Sequence, residues 1–348
     1  MRIYSDYSES VSGTPGRLLP AGATVLTDGY YNASINGATL YACKKTVHKA
    51  AKSTDAGSTW TDFDKVFGYD LASCFVTKDG ILLACEQLDA GTGTKIWRSV
   101  DDGANWVNVF DTAVGVITTW GWAQAPGGNI FCGEYSNSGT NSAYIWISTD
   151  DGANWTRKDG LITFTNKHIH QVMVDPTTSR LYATIGDGYP YDRIYYSDNN
   201  ADTWTRMFTS YLSRFTGATS LGNARYFGDD NSDGYNHIWK TTDDATPIDC
   251  YFPESKYNTE YSEVVGVDGG TTLFTTFMNA NQAEGKLSIV AKSTDSGDNW
   301  SIIAIDPTGS GKYQFHRPVM DYRHRIPSGF GYFICNITQI QQMIRMPI

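Results

Sequence analysis

Basic runs, long apolar stretches and zinc-type cysteine spacings are all missing from this sequence, and each absence removes a class of function. Charged residues make up only 18% of the chain and the net charge is −10. With no run of Lys or Arg to neutralise phosphates, a nucleic-acid partner is not expected. No stretch of about 18 apolar residues occurs, so no membrane span is expected. The start, Met1-Arg2-Ile3-Tyr4-Ser5-Asp6-Tyr7-Ser8, has no apolar core and does not read as a signal peptide. The six cysteines form no CxxC or Cys/His spacing. Cys43, Cys85, Cys132 and Cys335 end equivalent apolar runs, which places them on separate repeats, too far apart to bridge. They read as buried free thiols, and nothing in the sequence pairs Cys74 with Cys250. Free thiols without a leader point to synthesis in the cytosol, or to a leader already removed; an extracellular or virion site of action fits either.

What the chain does have is glycine (34 residues), aromatics (14%) and one phrase repeated along its length. Short strands and tight turns suit that composition better than long helices. The phrase is Ser/Thr-x-Asp-x-Gly-x-x-Trp, called the box below. Clean copies start at Ser53, Ser99, Ser148 and Ser293, and worn copies start at Ser197 and Thr241. Successive starts lie 46, 49, 49, 44 and 52 residues apart. A period of this length is the signature of a repeat architecture.

Between boxes the chain follows one grammar of four short strands, with a Gly-containing turn after the first and a polar loop after the second. In the third repeat the grammar reads a first strand over Thr118–Ala123, a turn at Pro126-Gly127-Gly128-Asn129 and a second strand at Ile130-Phe131-Cys132. First strands fall near Tyr31, Cys74, Trp120, His170, Phe215, Val264 and Pro318, one more than the boxes. After the last box the sequence offers three strands without a fourth, and Met1–Leu19 offers a spare one.

The box resembles the Asp-box, or BNR repeat, of sialidases and other glycan-active β-propellers, over residues 53 to 300. The resemblance implies an all-β propeller in which each box is the turn between the third and fourth strands of a blade. The box aspartates are then turn formers, with Gly taking a backbone angle other residues resist. Residues 1–348 are expected to form one propeller domain of seven blades, closed by pairing of the terminal strands; six blades is the alternative. Closure removes exposed sheet edges.

The loops sort onto two faces, and the face opposite the boxes is expected to carry the site, by analogy with propeller enzymes. Acids follow the second strands there: Glu86, Glu134, Asp187 and Asp229, three of them introduced by Gly. The starts of the first strands bring His168 and His170, Arg214, the run Glu260-Tyr261-Ser262-Glu263, and His316 with Arg317. Histidine suits proton transfer near neutrality and arginine holds a carboxylate by a two-pronged bond. His168, His170, Asp187, Glu134 and Arg214 are therefore the expected catalytic group. Trp120 and Trp122 stand outside the box grammar, and alternation puts both on one side of a strand. With Tyr189, Tyr191, Arg193, Glu86, Asp229, His316 and Arg317 they are the expected substrate contacts. No cofactor is implied. Asp229, Asn231 and Asp233 match the opening of a calcium loop, but Lys240 holds the twelfth position where Glu belongs.

Three functions fit. A glycoside hydrolase acting between two rim carboxylates on a poly- or oligosaccharide leads. A strict sialidase fits less well, because Arg325-Ile326-Pro327 lies near the C-terminus in a predicted turn rather than near the first strand. A polysaccharide lyase acting on a uronic-acid polymer is second, with His168 or His170, Tyr189 or Tyr191, and Arg193 or Arg214 as its groups. A non-catalytic glycan-binding virion or surface protein is third.

Overall fold

The computed structural model describes residues 19, 22–26, 29–44, 47–87, 94–112, 114–136, 143–161, 168–186, 193–208, 214–230, 236–251, 261–278, 288–305, 313–327, 330–337 and 340–347. They form a seven-bladed β-propeller of antiparallel sheets, and their helical content is one 3₁₀ turn, Thr119–Gly121. Six blades follow one another in chain order. The seventh joins Tyr313–Pro318, Phe330–Ile337 and Ile340–Pro347 to the N-terminal strand Thr24–Val25, with Thr24 opposite Arg345 and Val25 opposite Ile344. The ring is thus closed by its two ends, as the surplus of terminal strands implied, but the N-terminal strand lies at Thr24–Val25 and not within the expected Met1–Leu19. No helix among the described residues is long and apolar enough to cross a membrane.

Burial falls from the inner strand of a blade outward. All seven residues of His168–Val174, the first strand of blade four, are buried, whereas Thr205–Arg206 at its outer edge is exposed. Blade three departs from the expected pattern. Its first strand is only Trp122–Gln124, preceded by the 3₁₀ turn that the Gly121 amide closes on the Thr118 carbonyl at 2.9 Å. Trp120 and Trp122 therefore do not alternate along one strand. The five cysteines with described side chains, Cys43, Cys74, Cys85, Cys132 and Cys250, are free and buried.

The box turns are held by their own residues. In the first, Asp55 Oδ1 accepts the Thr59 amide at 2.8 Å, and Ser53 Oγ accepts the Gly57 amide at 2.8 Å. The fourth position is left-handed in every copy: Ala56, Asp102, Asp151, Asn200, Asp244 and Ser296 have φ between 53° and 60°. In three of the four clean copies the box Trp returns its indole N–H to the carbonyl of the Gly, as in Trp106 to Gly103 at 3.0 Å; Trp60 does not. The worn copy at Ser197 folds the same way, with Asn199 replacing the Asp and Ala201 the Gly.

Boxes also join blades. A tyrosine of a second strand reaches the fourth position of the next blade's box: Tyr41 to Asp102 at 3.1 Å, Tyr182 to Asp244 at 2.9 Å, Tyr226 to the Ser296 carbonyl at 2.8 Å. The copy at Thr241 has lost its Gly and Trp, and here the joint is reinforced by charge. Asp244, buried, is paired with Arg180 at 2.6 Å and Arg225 at 2.5 Å.

One segment breaks the repeat. Val319–Ile326, leaving the first strand of blade seven, crosses the central channel. Its carbonyls at Met320, Tyr322 and Ile326 accept the amides of Ile35, Gln124 and Asp268 on blades one, three and six. Arg325 and Ile326, expected in a turn, instead form a short strand parallel to Gly266 and Val267. The partners lie at or beyond the far ends of the inner strands, next to the turns that share a face with the boxes. The segment is therefore a stopper at the box end of the channel.

Candidate functional site at the mouth opposite the boxes

Three of the four expected acids, Glu86, Glu134 and Asp229, lie at the ends of the second strands at the mouth, but they are spent on structure. Glu134 is fully buried: its Oε2 accepts the amides of Val114 and Gly115 at 2.9 and 2.8 Å, and its Oε1 accepts the Trp146 indole at 2.7 Å. Glu86 repeats the pattern with the amides of Gly68 and Tyr69 and the indole of Trp97. Asp229 does so with the His237 amide at 2.6 Å and the Trp239 indole at 3.1 Å. Each is an acceptor-only carboxylate that fastens a mouth loop to the indole preceding a box. This is a different role from the acid or ligand expected of them, and it leaves Asp229 poorly placed as a calcium ligand. Asp187, Tyr189, Tyr191, Asn231 and Asp233 lie outside the described residues.

The glycines before these acids have their own cause. A Cβ on Gly133 would come within 2.6 Å of Ile169, one on Gly228 would overlap the Ser262 carbonyl, and one on Gly186 would overlap the His170 ring. Gly133 and Gly228 let the next blade's inner strand lie against the end of a second strand, whereas Gly186 makes room for the His170 ring of its own blade. Two of the Gly-acid pairs thus record blade docking, and the third records the placing of a histidine.

The histidines do gather. His168 and His170 start the inner strand of blade four, with ring centroids 4.9 Å apart, and Tyr135 of blade three lies 4.1 Å from His168. Two residues apart on one strand, the rings share a face, and the pairing register shifts between Ile169 and Gln171, at His170. His168 Nδ1 meets the Ser136 carbonyl at 2.5 Å, and His170 Nδ1 meets the Phe215 carbonyl at 2.7 Å. A carbonyl only accepts, so in the neutral ring each Nδ1 carries the proton and the lone pair belongs to Nε2. Both rings are buried. Their orientation is fixed by blades three and five, a precondition for a base that must meet one proton of a bound chain.

Arg214 begins the inner strand of blade five and pairs in register with Asp230; Arg193, buried, immediately precedes the third strand of blade four, Ile194–Ser197. His316 and Arg317 lie on the inner strand of blade seven, with side chains outside the described set. Trp122 is fully buried, stacked on Phe75 at 5.7 Å and bonded to Ser73 Oγ at 2.9 Å, so it offers no face to a ligand. Trp120 is partly buried against the cluster that includes Met320.

Tyr135 and His237 were missed, and Glu263, read at the entry to blade six, was left out of the expected site. Tyr135 follows Glu134 directly and carries no motif. Glu263 is buried on the inner strand of blade six, close over Gly217. His237 stacks on Trp239 and meets Asp249 at 3.0 Å. Burial lowers its proton affinity, but the carboxylates of Asp249 and Asp229 outweigh that and raise its pKa. Among the described residues no cluster of His, Cys, Asp or Glu is arranged to hold a metal ion.

No protein-family model matches the sequence, and no curated protein does. Solved structures do match. Virginiamycin B lyase from Staphylococcus aureus aligns with a TM-score of 0.65 at 14% identity, over 94% of this chain and 98% of that one. YCF48 from Cyanidioschyzon merolae aligns with 0.62 at 14%, over 94% and 99%. The GH74 xyloglucanase from Xanthomonas campestris aligns with 0.61 at 14%, over 92% of this chain but 55% of the enzyme. The chain is a β-propeller by these likenesses. At 14% identity they carry the fold and nothing about activity.

Proposed function

We propose that the protein is a glycan-active propeller that takes a poly- or oligosaccharide at the mouth opposite the boxes and cleaves uronate-containing chains by β-elimination. One observation carries this reading. The described rim carboxylates Glu86, Glu134 and Asp229 are committed to amides and indoles, whereas His168 and His170 stand side by side with their tautomers set. Elimination needs a base for the C5 proton, a cation beside the uronate carboxylate, and a proton donor to the leaving oxygen. Nε2 of His168 or His170 is the base, and Arg193 or Arg214 the cation. Tyr135, Tyr189 or Tyr191 is the donor. The C5 proton passes to the imidazole, a double bond forms between C4 and C5, and the C4–O bond breaks. The Asp-box resemblance supports a glycan ligand.

Hydrolysis is the second reading, favoured by the buried carboxyl of Glu263 on the inner strand of blade six. It needs a second acid, for which Asp187 is the candidate. A xyloglucanase stands among the fold neighbours. Products separate the two. Wild-type protein incubated with uronate polymers should generate the ultraviolet absorbance of an unsaturated uronate, and His170→Ala should not. New reducing ends without that absorbance would make the protein a hydrolase, and binding without any product would make it a lectin-like propeller.

A further inference from the structure

The stopper Val319–Ile326 is pinned at its centre by one imidazole. His324 is 2% exposed and takes a left-handed backbone, with φ 57°. Its Nε2 lies 2.6 Å from the Trp122 carbonyl on blade three, so that nitrogen carries the proton. Its Nδ1 lies 2.6 Å from Gln171 Nε2 on blade four, so that nitrogen accepts. Gln171 cannot turn over without loss, because its Oε1 accepts the Ala218 amide at 3.0 Å and its Nε2 donates to the Ala218 carbonyl at 2.7 Å. The His324 carbonyl accepts the Thr219 hydroxyl of blade five at 2.8 Å. Only the neutral ring with its proton on Nε2 satisfies all of these bonds. A second proton would set N–H against N–H in a buried place, where an unmatched charge is costly.

Nothing charged compensates among the described residues. Blades three and four face the ring with the Trp122 carbonyl and the Gln171 amide, and blade five meets the His324 backbone carbonyl with the Thr219 hydroxyl. Blade one offers the stopper the uncharged Ser34 and Ile35, blade two the apolar cluster around Phe75, and blade seven the Tyr332 carbonyl. The nearby charges sit on the stopper itself, on blade six and at Lys78 of blade two. Lys78 lies within electrostatic reach of Tyr322 and is paired with Asp79. Those of the stopper and blade six pair with one another. Arg323 binds Asp321 and Asp268 at 2.6 and 2.9 Å, and Arg325 stands 3.5 Å from Asp268.

We propose that Val319–Ile326 is an acid-released stopper held by His324, whose protonation breaks the bonds to blades three and four and frees the segment from the box end of the channel. The proposal does not rest on the glycan reading. Burial lowers the pKa of the folded ring to about 4, from 6.5 when exposed. At His324 the released state binds the extra proton within that window, which raises its population by up to about tenfold for each pH unit lost. Asp321, whose carboxyl is pushed up by burial, works in the opposite sense and lessens that slope equally in wild type and His324→Gln. Partial opening of this kind is a local event, separable from unfolding of the ring.

Native-state hydrogen exchange, expressed as protection factors, tests it. The reporters are the amides of Ile35, Gln124 and Asp268, which donate to the stopper; the controls are the buried box amides of Gly57 and Gly103. In the wild type, reporter protection should fall by up to about tenfold per pH unit below about 6.5 while control protection holds. In His324→Gln, whose amide donates and accepts without titrating, reporter protection should no longer fall. A flat wild type, or an unchanged slope in the variant, overturns the proposal. Should His324→Gln fail to fold, Gln171→Glu decides. Its carboxylate accepts from a protonated Nδ1, so the reporters should lose less protection in acid than in the wild type, and an equal or steeper loss overturns the proposal.

Discussion

The indole N–H of Trp146 points at Glu134 Oε1 from 2.7 Å, while two backbone amides occupy the other oxygen. This carboxylate is a fastener made from a loop before it and a tryptophan after it. Glu134→Gln replaces an acceptor-only group by one that presents N–H to N–H donors. Hydrogen bonds to charged groups contribute roughly 1.5–3 kcal/mol, and a loss in that range is expected. The check is urea unfolding: the midpoint should fall with an unchanged slope. Retained stability with lost activity would return Glu134 to the chemistry.

Gly186 couples fold to site. An alanine there would drive its methyl group into the His170 ring. Gly186→Ala should therefore impair turnover or ligand binding as severely as His170→Ala. Histidine NMR resonances should report a displaced ring in the first variant and a missing one in the second. Undisturbed His170 signals in Gly186→Ala would contradict this packing.

Acid should act in two stages. His324 has a folded pKa below its unfolded one, so its contribution is complete above about 6.5 and is lost as pH falls toward about 4. At 1.36 kcal/mol per unit, that window is worth about 3 kcal/mol. The box carboxylates titrate lower: hydrogen bonds from the Thr59 hydroxyl and amide and from Ser53 pull Asp55 down to about 2, and like bonds lower Asp101, Asp150 and Asp295. Their support is present above the usual carboxylate range and disappears only below it. Melting temperature against pH should show both slopes in the wild type and only the lower one in His324→Gln.

The boxes should be remote from function. Asp101→Ala removes acceptors for the Asn105 amide and side chain. A lower melting temperature with ligand binding intact is expected, and calorimetry beside a binding isotherm would decide it. Weakened binding at full stability would place the site on the box face.

Much of the fold was legible because its signals are local. Asp55, Ser53, Gly57 and Thr59 close a turn among themselves, so eight residues announce it wherever they occur. Ring closure was legible too, since three C-terminal strands lacked a fourth. The role of the acids was not. Glu134 and the Ile-Trp pair at Trp146 both stood out, but their bond spans 12 residues across a loop of unmarked length. Trp122 looked unassigned because its partners Ser73 and Phe75 belong to the preceding blade. The stopper left no trace at all: the ring nitrogens of His324 meet groups 153 and 202 residues away.

Tryptophan provides the most direct test of where the ligand binds. The indoles of Trp97, Trp146 and Trp239 bond to the mouth carboxylates, and those of Trp106, Trp155, Trp204 and Trp300 bond to box carbonyls at the other face. Indole N–H resonances followed during titration with a uronate oligosaccharide therefore report each face separately. A mouth site predicts shifts in the first set, together with His168 and His170, while the second set stays still. Shifts confined to the box tryptophans would contradict it.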